Sequence, residues 1–86
     1  MANKVEKKTN KLILRDFLIE IRRNSDLTQE QLSNKLNKPQ SFISKYESGE
    51  RRLDFLEFIE ILQALNLDCI KSFSNLLKKL EKNNGK

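Results

Sequence analysis

The sequence predicts an all-α domain of five helices, and three observations carry that reading. Apolar residues recur at helical spacing, as in Leu14, Phe17, Leu18 and Ile21, with almost none of the alternation a strand requires. Thr28 and Asp54 each stand three positions before a Gln or Glu, the spacing at which a side chain and a backbone donor satisfy each other at a helix start. Glycine occurs twice and proline once in 86 residues, and Pro39 and Gly49 fall between apolar runs rather than inside them.

Taken in order, residues 1–9 lack apolar periodicity and are expected to be a flexible basic arm. A first helix should begin at Thr9 or Asn10 and run to Asn24, where Asn24, Ser25 and Asp26 break the pattern. A second, near 28–36, starts at the Thr28–Gln31 capping pair and puts Leu32 and Leu36 on one face. Asn37 tolerates the left-handed conformation that ends a helix sharply. Pro39 then restarts the chain with a φ suited to a first helical turn. The third helix, near 39–47, turns Ile43 and Tyr46 inward and stops at Gly49.

A loop carrying Glu50, Arg51 and Arg52 leads to a fourth helix at Asp54, with Leu56, Ile59, Leu62 and Leu65 expected inward and Asn66 at its end. Phe55, Phe58 and Ile61 cannot share that face, which implies burial on two sides. A fifth helix over 68–82 places Ile70, Phe73, Leu76, Leu77 and Leu80 on its apolar side. Residues 83–86 read as a disordered tail, which leaves 10–82 as the folded domain.

Composition excludes several classes of function. The lone Cys69 cannot form an internal disulfide, and histidine is absent, so the usual zinc sites and histidine-based catalysis have no residues to use. No paired carboxylates or nucleophile constellation suggests an enzyme, and neither a cofactor nor a small-molecule ligand is expected. No apolar run reaches the roughly 20 residues of a membrane span, so a cytoplasmic protein without membrane contact is expected. The net charge of +5 is concentrated at the ends: residues 1–11 and 78–86 each carry four lysines against one glutamate. Within the nearly neutral middle, Arg22, Arg23, Lys35, Lys38, Lys45, Arg51 and Arg52 surround the second and third helices, while Asp54, Glu57 and Glu60 recur on the fourth. Such a split favours phosphate on one face and repels it on another.

With Ile43 and Tyr46 inward, the third helix shows Gln40, Ser41, Ser44 and Lys45 outward. A glutamine amide can pair with the N6/N7 edge of adenine, serines let a helix approach a groove, and a lysine reaches guanine or a phosphate. Two short helices joined by a tight break, with that outward face, have the shape of a helix-turn-helix whose second helix reads the major groove. Phe42 is left between a core position and a contact to a thymine methyl group.

The markers LTQEQL, Ser33, SFISKYESGE and LEFIEILQALNL, in that order from about Leu18 to Leu67, resemble the phage repressor and Cro family, also called the XRE family. Two positions depart from its pattern: Asn37 stands where glycine is usual, and Lys38 where an apolar residue is common. The resemblance implies a compact repressor-like DNA-binding domain and a base contact from Gln40. It implies a phosphate contact from Gln29, whose place at a helix N-terminus favours an anion in any case. It also implies a salt bridge between Arg22 and Glu47 that steadies the third helix while spare arginine donors face phosphate. Lys38 and Arg51 are further candidates for phosphate contacts.

The function so implied is sequence-specific binding of double-stranded operator DNA by a transcriptional regulator. One recognition helix reads too few base pairs to be selective, so a homodimer is expected. Phe73, Leu77 and Leu80, with the neighbouring end of the fourth helix, are the expected interface. A restriction–modification controller and an antitoxin are variants of this reading. A protein-interaction adaptor that has lost DNA binding is its rival.

Overall fold

Local caps set the helix boundaries in the computed structural model, which describes residues 8–84. Its elements are α1 (Asn10–Asn24), α2 (Gln29–Leu36), α3 (Gln40–Ser48), α4 (Phe55–Ala64) and α5 (Cys69–Asn83), with no strand among the described residues. The Thr9 hydroxyl accepts from the Leu12 N–H at 3.2 Å and so begins α1. Both capping boxes form. Thr28 and Gln31 exchange bonds of 2.8 and 3.1 Å, and Asp54 and Glu57 bonds of 3.0 and 2.8 Å. The Asp68 carboxylate accepts from the Lys71 N–H at 2.9 Å and begins α5. Pro39 stands one position earlier than expected, at the N-cap of α3, with extended backbone (φ −68°, ψ 153°) and no side-chain cap.

Left-handed residues follow the first four helices. Asn37 (φ 61°) directs the Lys38 N–H back to the Ser33 carbonyl at 3.0 Å, and Asn66 (φ 58°) directs that of Leu67 to Leu62 at 3.0 Å. Asp26 takes the same conformation after α1, and Gly49 (φ 89°) does so after α3.

Packing then selects the inward faces. Phe17 and Leu18 of α1, Leu32 of α2, Phe42, Ile43 and Tyr46 of α3, Phe58, Ile61 and Leu62 of α4, Leu65 just after it and Leu76 of α5 form one core. Helix α3 lies against α1 and α2, while α4 bridges α2 and α5.

The inward face of α4 differs from the expected one. Phe58, Ile61, Leu62 and Leu65 are buried, Ile59 is half-buried, and Leu56 is 71% exposed. Residues three apart drift by about 60° per step on a helix of 3.6 residues per turn, so Leu56 and Leu65 fall on opposite sides. The buried set instead follows the i, i+3, i+4, i+7 pattern. The same geometry corrects α5, where Ile70 lies about 120° around the axis from buried Leu76 and is 83% exposed. Ser72 is buried there in its place, and Cys69 is half-buried.

Residues 1–7 of the expected arm and 85–86 of the expected tail lie outside the described residues. The described parts of both segments are tied to the domain. Asn83 completes α5 and donates to the Lys8 carbonyl at 2.6 Å, and Lys8 pairs with Asp16 at 2.7 Å.

Candidate nucleic-acid interface

The apolar residues of α3 orient its polar ones. Because Ile43 and Tyr46 are sealed in the core, Gln40, Ser41 and Lys45 stand exposed on the opposite side and Ser44 is half-exposed. The Ser44 hydroxyl donates to the Ser41 carbonyl at 3.3 Å.

A buried polar group locks this helix in place. Arg22 donates from Nε to one Glu47 oxygen at 2.7 Å and from Nη2 to the other at 3.0 Å, while Nη1 donates to the Leu27 carbonyl at 2.8 Å. The hydrogen bond to Glu47 raises the Arg22 pKa against the opposing effect of burial. Gln29 adds a bond from Nε2 to Glu47 at 2.9 Å, so the carboxylate joins α1, α2 and α3.

Arg22 uses three of its five N–H donors inside the domain and is only 7% exposed, so it clamps α1 to α3. The Gln29 side-chain amide turns inward, to the Glu47 carboxylate.

A second polar group lines the other flank of α3. Arg51 forms a two-pronged pair with Glu57 at 3.0 and 2.9 Å and donates to the Arg52 carbonyl at 2.9 Å. The Arg51 guanidinium and the Asp54 N–H together hold the Glu57 carboxyl down at about 2. Arg51 also lies over the Phe42 ring, with Cζ 4.8 Å from its centroid, and the Lys38 ammonium lies 5.0 Å from the same centroid. Phe42 is thus a buried platform for two cations beside the recognition helix, which takes its ring away from a thymine contact.

Neither Phe42 as a platform nor Glu57 as a tether was foreseen. Glu57 was legible only as a capping residue, and nothing in the spacing of Lys38, Phe42 and Arg51 marks them as neighbours.

An apolar surface lies on α4 and α5. Phe73 and Leu77 are exposed, while Leu80 is half-buried against the core. Phe55, 64% exposed at the start of α4, meets Phe73 edge-on at 6.5 Å, and Leu56 and Ile70 are exposed as well. Among the described residues no helix is long and apolar enough to cross a membrane, and no three His, Cys, Asp or Glu side chains group to hold a metal.

Two short helices joined by a left-handed turn, with the second presenting polar side chains from a buried anchor, define a helix-turn-helix domain. A helix-turn-helix family model matches residues 18–70, and the chain belongs to the XRE family of these proteins. It is similar to an XRE-family-like protein from Pseudomonas syringae pv. tomato, at 38% identity over 80% of this chain and 84% of that one, with a TM-score of 0.75. It is also similar to the wild-type restriction–modification controller protein C.Esp1396I, at 25% identity over 85% and 96%, with a TM-score of 0.76. C.Esp1396I has been solved as a tetramer on its natural 35-base-pair operator, a structure that this chain matches at 25% identity over 84% and 95% of the two chains with a TM-score of 0.74. No curated protein sequence matches the chain.

Proposed function

We propose that this protein is a transcriptional regulator that binds operator DNA in a sequence-specific manner as a homodimer. The observation that carries the reading is the exposed face of α3, with Gln40, Ser41, Ser44 and Lys45 presented by a helix clamped through Arg22 and Glu47. Gln40 and Ser41, at the N-terminal end of α3, are the residues that meet base edges, with Ser44 and Lys45 one turn further along. Lys38, Arg51 and the head of α2 flank that helix and contact phosphates, which fix register without reading sequence. The apolar surface of Phe55, Leu56, Phe73 and Leu77 is the dimer interface, since a patch of this kind on a small domain calls for a partner. The protein acts by occupying DNA rather than by catalysis, in the cytoplasm.

A controller of a restriction–modification system is the more specific form of this reading that the similarity to C.Esp1396I favours, because that protein is matched over nearly its whole length. The test is selection of bound duplexes from a random pool. The expected product is an approximate palindrome with half-sites about one helical turn apart. A pool that yields no enriched sequence would overturn the reading in favour of the adaptor.

A further inference from the structure

Two buried side-chain polar atoms lack a hydrogen-bond partner among the described residues: the Tyr46 hydroxyl and Arg15 Nε. Both residues line one cleft of about 270 Å³ between α1 and the loop that follows α3. Lys11, Arg51 and Arg52 complete its polar lining, and no carboxylate lines it. Buried polar groups are almost always paired, so two orphans in one place are not expected by chance. Both are donors. Arg15 Nε has only a proton to offer, and burial holds the Tyr46 phenol well above its usual range, so it keeps its proton.

We infer that this cleft is a binding site for a phosphate group. The missing partner of two donors is an acceptor, and the cationic side chains of Lys11, Arg15 and Arg52, beside an Arg51 already paired with Glu57, select an anionic one. Arginine forks match the geometry of tetrahedral oxyanions, and the volume lies below that of sites for drug-sized ligands. Neighbouring carboxylates are occupied: Asp16 is held by Lys8 at 2.7 Å and meets Arg15 only at 3.4 Å, Glu57 is held by Arg51, and Glu47, which acts on Tyr46, is held by Arg22. The phosphate can come from the DNA backbone or from a free phosphate-bearing molecule. The site does not require the operator reading, since inorganic phosphate probes it without DNA.

Tyr46 is the only tyrosine and the chain has no tryptophan, so its near-ultraviolet absorption and emission report on this cleft alone. The protein is titrated with sodium phosphate, with sodium chloride at equal ionic strength, and with duplex DNA. Phosphate but not chloride is expected to give a saturable change in the Tyr46 signal. Arg15→Gln is expected to weaken that response about tenfold, with Arg15→Lys partly restoring it. Circular dichroism checks that each variant folds, and Arg52→Gln, at an exposed position, is a second variant expected to weaken phosphate. Displacement of phosphate by duplex, with parallel loss of duplex affinity in Arg15→Gln, would assign the site to the DNA backbone. Phosphate binding with duplex affinity intact in Arg15→Gln would assign it to a free ligand. A Tyr46 signal that answers neither phosphate nor duplex, or that answers equally in both neutralised variants, overturns the inference. Failure of the random-pool selection leaves the inorganic phosphate result standing, so the two readings fail separately.

Discussion

Arg22 and Glu47 stand 25 residues apart in the chain yet meet through two hydrogen bonds of 2.7 and 3.0 Å, with 9% and 5% of their side chains exposed. Gln29 completes the group from α2 at 2.9 Å. Glu47 lies in the last turn of α3 and Arg22 in the last turn of α1, so this pair sets the angle at which the recognition helix leaves the core.

Removal of one partner should therefore cost more than loss of a surface pair. Glu47→Ala leaves a buried guanidinium unpaired and is expected to destabilise the fold by about 3 kcal/mol. Chemical denaturation of both single alanine variants and the double variant checks this. The double variant should be less destabilised than the sum of the two, which is the signature of direct coupling.

Acid should weaken the other flank of α3. The Glu57 carboxyl sits at about 2 in the folded chain against an ordinary value of 4.5, so the folded state holds its charge more readily than the unfolded one. That contribution is complete above the ordinary value and is lost as the pH falls from 4.5 towards about 2. Urea midpoints measured across this window should show wild type more stable than Glu57→Gln at neutral pH, with the gap closing in acid.

Assembly should depend on the apolar surface of α4 and α5. Leu77→Glu and Leu56→Glu place a charge on this surface, and Leu56, at 71% exposure, makes little contribution to the monomer core. Sedimentation at micromolar concentration is expected to give a two-chain mass for wild type and a one-chain mass for each variant. Unchanged helical circular dichroism would show that assembly alone was lost.

Base reading should be separable from general attraction. Gln40→Ala is expected to lower affinity for the selected site by about 1–3 kcal/mol and to leave binding to unrelated duplexes nearly unchanged. Lys38→Ala should instead weaken all duplexes alike and flatten the dependence on salt. Titrations of both variants on selected and scrambled duplexes, at several salt concentrations, distinguish the two effects.

What is local was legible in the chain alone. Thr9, Thr28, Asp54 and Asp68 cap through bonds that span three residues, and Asn37 and Asn66 end their helices through their own φ preference, so short windows suffice to locate five helices. The outward face of α3 was legible for the same reason, since Ile43 and Tyr46 determine the opposite side. Tertiary structure decided what depends on partners distant in the chain. Helical periodicity excludes a face that holds both Leu56 and Leu65, but only packing against α2 and α5 turns Phe58 inward and leaves Leu56 outward, because both are apolar. The inward turn of Gln29, the two cations over Phe42 and the unpaired Tyr46 hydroxyl beside Arg15 likewise have no local signal. A hydrogen bond or a cation over a ring acts across a few ångströms of space, and only folding brings residues from separate helices within that distance.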